Sequence, residues 1–348
     1  MQPTGSTPRS WPMRQVFRLA SGDVEASRRE AKRRCPAAKR SVSATRFLGG
    51  LRRSFAAGTD VIRTRGRILP LVLLAVLVIS GGYAFAQYRG QDIFGSLEGL
   101  RGEQGDPVEV PPQELPDRNV AGCHILYTSV RREANGAGWH TDYPWGQRHL
   151  LLRLSELTKT RVSWLKHDVP HVWLVRLTDD ALFNCPYLMA SDVGTIGLSR
   201  TEAARLRLYL EKGGFLWVDD FWGDAAWAQW TREFSKAMPP AEYPIEDVPL
   251  NDPLFHTLLE VKKIPQVTSI RFWRATGGRT TSERGAESAV PHLRAIRDKH
   301  RNIIAVMTHN TDVSDSWERE GEDPAFFYQF SPYGYALGID VLLYAMTH

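Results

Sequence analysis

Residues 120–348 predict an α/β domain: a mostly parallel sheet covered by helices on both faces. Three observations lead there. Short apolar strands alternate with amphipathic helices along the chain. Strands such as residues 215–218 (Phe-Leu-Trp-Val) are apolar at every position, as strands buried on both faces must be. Polar residues gather directly after those strands, where open α/β sheets carry their crevice.

The elements follow in order. Residues 123–129 form a first strand, and residues 148–157 place Leu150, Leu151, Leu154 and Leu157 at helical spacing. Val162 and Trp164 suggest a second strand, and residues 187–190 a third. Ser199 with Glu202 three residues later is a capping box. The helix it opens carries Ala203, Leu206 and Leu210 on one face and stops at Gly213-Gly214. Residues 215–218 form a buried strand, followed by Asp219-Asp220 and a helix reaching Met238. Residues 292–296 and 302–307 flank a polar turn and read as a hairpin. A last buried helix is expected over residues 334–346.

The first third of the chain is of another kind. Residues 1–67 hold sixteen Lys/Arg against four Asp/Glu and show no periodicity, so they cannot bury a core. Val61 is a candidate translation start that would make this extension an artefact. Residues 68–86 are apolar, preceded by Arg63, Arg65 and Arg67 and ending Ala84-Phe85-Ala86. That is the pattern of a signal peptide, and its length also suits a transmembrane helix. Either way the N-terminus stays cytoplasmic and the remainder reaches the periplasmic side of the cytoplasmic membrane, secreted or anchored. Residues 87–119, rich in Gly, Pro and Gln, read as a linker. Of the formal +5, the extension supplies +12, leaving −7 on residues 68–348 and no electrostatic case for nucleic acid. Cys123 and Cys185 lie on the exported side, where either a disulfide or two buried thiols would suit them.

Four constellations could carry chemistry. Asp219 and Asp220 end a buried strand, where they would hold a cation, form an acid/base pair, or merely cap the next helix. Trp222 and its neighbours could wall a pocket or fill the core. His140, Asp142 and Tyr143 share a loop after the first strand. His309, Asn310 and Asp312 end another buried strand, followed by an acidic run (residues 316–323) that could be only a solvated loop. The charged segment 282–288 adds Arg284 as a partner for the carboxylates. No nucleophile elbow, HExxH, phosphate loop or dinucleotide fingerprint is present.

Together the segments His140-Thr-Asp-Tyr-Pro144, Gly213-Gly-Phe-Leu-Trp-Val-Asp-Asp-Phe-Trp222, Thr281-Ser-Glu-Arg-Gly285, Met307-Thr-His-Asn-Thr-Asp312 and Trp317-Glu-Arg-Glu-Gly-Glu-Asp323 resemble the bacterial family called domain of unknown function 4159. The resemblance implies a class I glutamine-amidotransferase-like (flavodoxin-like) three-layer sandwich, similar also to trehalose-utilisation-like domains, and it implies no activity. Amidotransferases place a nucleophilic cysteine in the turn after a central strand; here that turn holds Asp219, so their chemistry does not carry over. The trehalose-utilisation-like pattern is associated with sugar-like ligands, an argument by analogy alone.

Two functions follow as expectations. The first is a cell-envelope module that binds a small-molecule or glycan ligand, or a partner, in a polar crevice at the carboxyl edge of the sheet. Asp142, Tyr143, Trp222, Arg284, Asn310 and Asp312 would contact that ligand. The alternative is a hydrolase using Asp219/Asp220 with His309 or His140, with or without help from a metal, on a carbohydrate-like substrate. No resident metal or cofactor is assigned from the sequence.

Overall fold

The computed structural model describes residues 97 and 99–348. The basic extension and the apolar segment at 68–86 lie outside the described residues. Seven strands form one sheet: β1 (Gly122–Leu126), β2 (Val172–Arg176), β3 (Leu188–Ser191), β4 (Leu216–Asp219), β5 (Glu246–Asp247), β6 (His292–Arg297) and β7 (Ile303–His309). Their order across the sheet is β2-β1-β3-β4-β7-β6-β5. From β2 to β7 all neighbours run parallel, while β6 and β5 add an antiparallel edge. The sheet grows outward in one direction from β1 to β2, then in the other from β3 onward. That reversal between β1 and β3 is a topological switch point, where a crevice opens at the strands' carboxyl ends.

Alternation along each strand sorts side chains between two helical layers. Leu174, Met189, Trp217 and Val306 face α1 (Trp145–Leu157) and the C-terminal helix, sharing a core with Leu150, Leu154, Leu337 and Leu342. Val175, Leu188, Val218 and Met307 face the opposite way, against α2 (Arg200–Glu211) and α3 (Gly223–Phe234). Three shorter or later helices complete the order: α4 (Ile270–Thr276), α5 (Asp315–Glu318) and α6 (Pro324–Thr347). The result is the expected α/β arrangement with helices on both faces of the sheet. Full burial of each large apolar side chain contributes roughly 1.5–3 kcal/mol, so the two cores dominate stability. Among the described residues, no helix is long and apolar enough to cross a membrane.

The Ser199 capping box forms in full, with the Ser199 hydroxyl and the Glu202 carboxylate each accepting a backbone N–H of the other. The hairpin of β6 and β7 also forms as expected. Other boundaries differ. The second sheet strand is Val172–Arg176; Trp164–Lys166 pairs only with Val169–Pro170 in a small exposed ribbon. Residues 172–175 are the apolar run and are wholly buried, which residues 164–166 are not. The helix after β4 ends at Phe234, short of Met238. α6 begins ten residues earlier than expected and continues through Pro332, because Phe326, Phe327 and Phe330 before the proline are as buried as the residues after it. It packs very closely on α5: a Cβ at Gly338 would stand 2.6 Å from the Trp317 ring. Cys123 and Cys185 are joined as a disulfide rather than left as thiols, tying β1 to the segment before β3.

Residues 99–119, expected as a linker, lie along the domain. Glu109 pairs with Arg148 and His171 and bridges to Trp173, while Arg319 bonds Glu103 at 2.6 Å. Charge pairing, which composition does not reveal, holds this segment in place.

Candidate functional site

Four turns at the carboxyl edge of the sheet build one crevice. Asp192 follows β3, Asp220 follows β4, and residues 310–315 follow β7. The long loop after β1 brings Asp142. Asp142, Asp192, Asp220 and Asn310 all have left-handed backbones, with φ of 63°, 52°, 52° and 61°. For a residue with a side chain this region is costly, and Asp and Asn are the types that tolerate it best. Each turn thus reverses within one residue and brings its polar side chain to the sheet edge.

Eight carboxylates line the crevice (Glu103, Glu133, Asp142, Asp192, Asp220, Glu283, Asp312 and Asp315) against three arginines, Arg271, Arg284 and Arg319. The cavity within it is about 50 Å³, far below the roughly 300–1,000 Å³ of drug-sized pockets. It has room for an ion and a few waters, and a sugar would have to lie across its mouth. Burial raises the Asp220 carboxyl well above its usual range, and the neighbours Asp192, Glu283 and Asp219 add like charge. Burial raises Asp142 and Asp312 in the same way, with further carboxylates as the next cause. Burial pushes Asp192 up to about 7, although the Gly138 N–H donates to its Oδ2 at 2.7 Å. Arg284 is held on the Ala134 carbonyl at 2.8 Å and near Glu133 and Glu283.

Of the residues expected from the sequence, Asp142, Asp220, Trp222, Arg284 and Asp312 meet in this crevice. The others do not. Asp219 is fully buried and fully bonded: Oδ1 accepts from the Thr308 hydroxyl at 2.5 Å, and Oδ2 accepts from the Ser314 N–H and hydroxyl at 2.8 and 2.9 Å. It fastens β4 to the β7–α5 turn. His309, one position beyond Thr308, points to the opposite face, tilted against Phe221 and Trp227 and stacked on His292. Burial there holds its pKa down at about 4. The expected crevice shared by Asp219, Asp220 and His309 therefore does not form, because adjacent residues of a strand face opposite ways. The Asn310 side chain clamps loops, accepting from Gly223 N–H at 2.8 Å and donating to the Val290 carbonyl at 3.0 Å. His140 turns to the Ala137 carbonyl and stacks on Trp139. The Tyr143 hydroxyl is spent on Glu109 N–H and the Val172 carbonyl.

Sequence reading missed Glu103, Glu133, Asp192, Asp315 and Glu318. Asp192 carried the same signal as Asp220, a polar residue just past a buried strand. Asp315 and Glu318 border or belong to the acidic run that also reads as a solvated loop; both are buried. Burial of Asp315 raises its carboxyl to about 6 despite the Arg319 guanidinium beside it.

Fold and site together define an α/β sheet protein with a small acid-lined crevice at its topological switch point. The sequence matches the model of the family described as Domain of unknown function (DUF4159) over residues 126–346, and the chain belongs to that family. No curated protein matches it.

Proposed function

We propose that this chain is an exported cell-envelope module that binds a small polar ligand at the mouth of the acidic crevice. The observation that carries the reading is the convergence of Asp142, Asp220 and Asp312 with Trp222 and Arg284 from four separate turns. Trp222, buried in the crevice lining, holds Asp220 through its Nε1–H at 2.8 Å, so a hydroxyl-rich or cationic group at the mouth would meet a fixed carboxylate wall that accepts its hydrogen bonds. A glycan end fits that chemistry. Export draws on the apolar segment at 68–86 and on the Cys123–Cys185 disulfide, a bond that persists in oxidising compartments.

Hydrolysis is the second reading, and Asp192 is what favours it: a carboxyl near 7 is poised for general acid–base work. Binding is preferred because both expected histidines turn away from the crevice. A thermal-shift screen of sugars and amines on the full chain in mild detergent tests the proposal. A ligand that stabilises the wild type should lose most of its effect on Asp220→Asn, which keeps the side-chain shape. Equal shifts in both proteins, or none in the wild type, would remove the crevice reading.

A further inference from the structure

Carboxylates in and beside the crevice form two groups that share Asp142. In each, one oxygen per residue lies within 4.8 Å of the others: Glu103, Asp142 and Glu318 on one side, Asp142, Asp312 and Asp315 on the other. The two sides are not equivalent. Arg319 is inserted at the first: its Nη2 stands 2.6 Å from Glu103 Oε1 and 2.9 Å from Glu318 Oε2. That group contains its own cation. Arg319 reaches the second group only at its margin, through Nε at 3.2 Å from Asp315 Oδ1.

Where the two groups meet, at Asp142, the buried oxygens are incompletely used. Asp142 is 4 % exposed, and its Oδ2 is buried without a hydrogen-bond partner. Asp312 Oδ1 accepts the Asp315 N–H at 2.9 Å, and Asp315 Oδ2 accepts the Ile270 N–H at 2.9 Å. These bonds fix the two side chains and leave each with acceptor capacity. A buried carboxylate oxygen with no partner among other carboxylates is costly, and a bound cation is one of few ways to relieve it. The donors are all oxygen, with no histidine or sulfur, which suits a hard cation of the calcium or magnesium type over zinc. The cavity of about 50 Å³ has space for the ion with its remaining waters.

We propose that Asp142, Asp312 and Asp315 form a binding site for a hard divalent cation, calcium or magnesium, at the floor of the crevice. The assignment rests on the crevice being a binding site, and names its first occupant: a ligand at the mouth would then meet an ion on the floor as well as the carboxylate wall. The ion fills the position on the second side that Arg319 fills on the first.

The test uses the full chain in mild detergent, stripped with chelator, and metal salts alone. Calcium or magnesium added up to about 10 mM, above the weak range known for extracellular sites, should raise the melting temperature in a saturable way. Sodium at matched ionic strength should not. Asp312→Asn should weaken the apparent affinity by about tenfold or more while circular dichroism stays unchanged. Should that variant fail to fold, terbium luminescence on the wild type gives the same answer without mutation. Excitation of nearby tryptophan (Trp222 lines the crevice) should sensitise terbium, and excess calcium should quench the signal. No metal-dependent shift in the wild type, or an equal shift in Asp312→Asn, overturns the site. A positive ligand screen beside a silent metal titration would overturn the cation alone and leave the crevice reading standing.

Discussion

Asn310 shows how much one residue decides at the sheet edge. Its backbone is left-handed at φ 61°, and its side chain holds Gly223 N–H and the Val290 carbonyl. Two costs therefore attend its loss, one conformational and one from unpaired buried groups. Asn310→Ala should destabilise by about 2–5 kcal/mol, combining roughly 1–2 for a left-handed alanine with 1–3 for the orphaned partners. Asn310→Gly should recover the conformational part only. Urea unfolding of the pair measures the split; equal stabilities would show that the backbone conformation costs nothing there. At this scale the sequence was half legible. A polar residue after an apolar strand marks the sheet edge, so Asp220, Asn310 and Asp312 could be picked out. Which way each points depends on strand phase and turn geometry, and there Asp219 and His309 were misplaced.

Among elements, α6 was legible as a buried helix but not in its extent, since Pro332 and the polar Tyr328 and Gln329 mask its first half. Its Asp340 is the least expected group in it. Fully buried, it accepts the Leu258 and Leu259 N–H groups on Oδ1 at 3.0 and 2.9 Å, while Oδ2 is buried without a hydrogen-bond partner. Burial raises its carboxyl to about 6, opposed by those amides and by nearby His256. Since the folded chain keeps this proton after the unfolded chain has lost it, the contribution to stability is present below about pH 4 and is lost as pH rises through about 6. The loss amounts to about 2–3 kcal/mol, from roughly 1.4 kcal/mol per pKa unit. Asp340→Asn keeps an oxygen for both amides and has no proton to lose. Its stability relative to wild type should therefore climb between about pH 4 and pH 7, as read by urea unfolding across that range. Parallel curves for the two proteins would rule out an ionising Asp340.

The segment at 99–119 teaches the same lesson from outside the sheet. Its Gly, Pro and Gln content matches a linker, yet Glu103 and Glu109 dock by charge to arginines far along the chain. Local composition reports what a segment cannot do alone; it does not report a distant Arg319.

For the whole molecule, the alternation of strand and helix was enough to predict the layers, because burial on both faces forces apolar strands wherever they occur. The Cys123–Cys185 bond was left open by the sequence, as buried thiols fit the same apolar context. It spans 62 residues, and chain-entropy reasoning gives about 4 kcal/mol for a loop of that size, with native strain and residual structure lowering it. Cys123→Ala with Cys185→Ala should lower the urea midpoint accordingly, and the wild type in reductant should match it. An unchanged midpoint on reduction would mean that the two sulfurs are not joined in the folded protein.

The crevice also has a mechanical consequence. Eight acidic side chains are pressed together at one edge of the sheet. As pH rises and these carboxyls give up the protons that burial lets them keep, the like charges they gain, offset only in part by three arginines, act as a compressed spring whose force the hydrophobic layers on either side of the sheet must contain. Opening motions need not be shared evenly. The turns carrying Asp142, Asp220 and Asp312 should separate first and most often, while the central strands β3, β4 and β7 exchange their amide hydrogens only through global unfolding. The molecule would then breathe from a single end, and whatever neutralises those carboxylates would also set how often it opens.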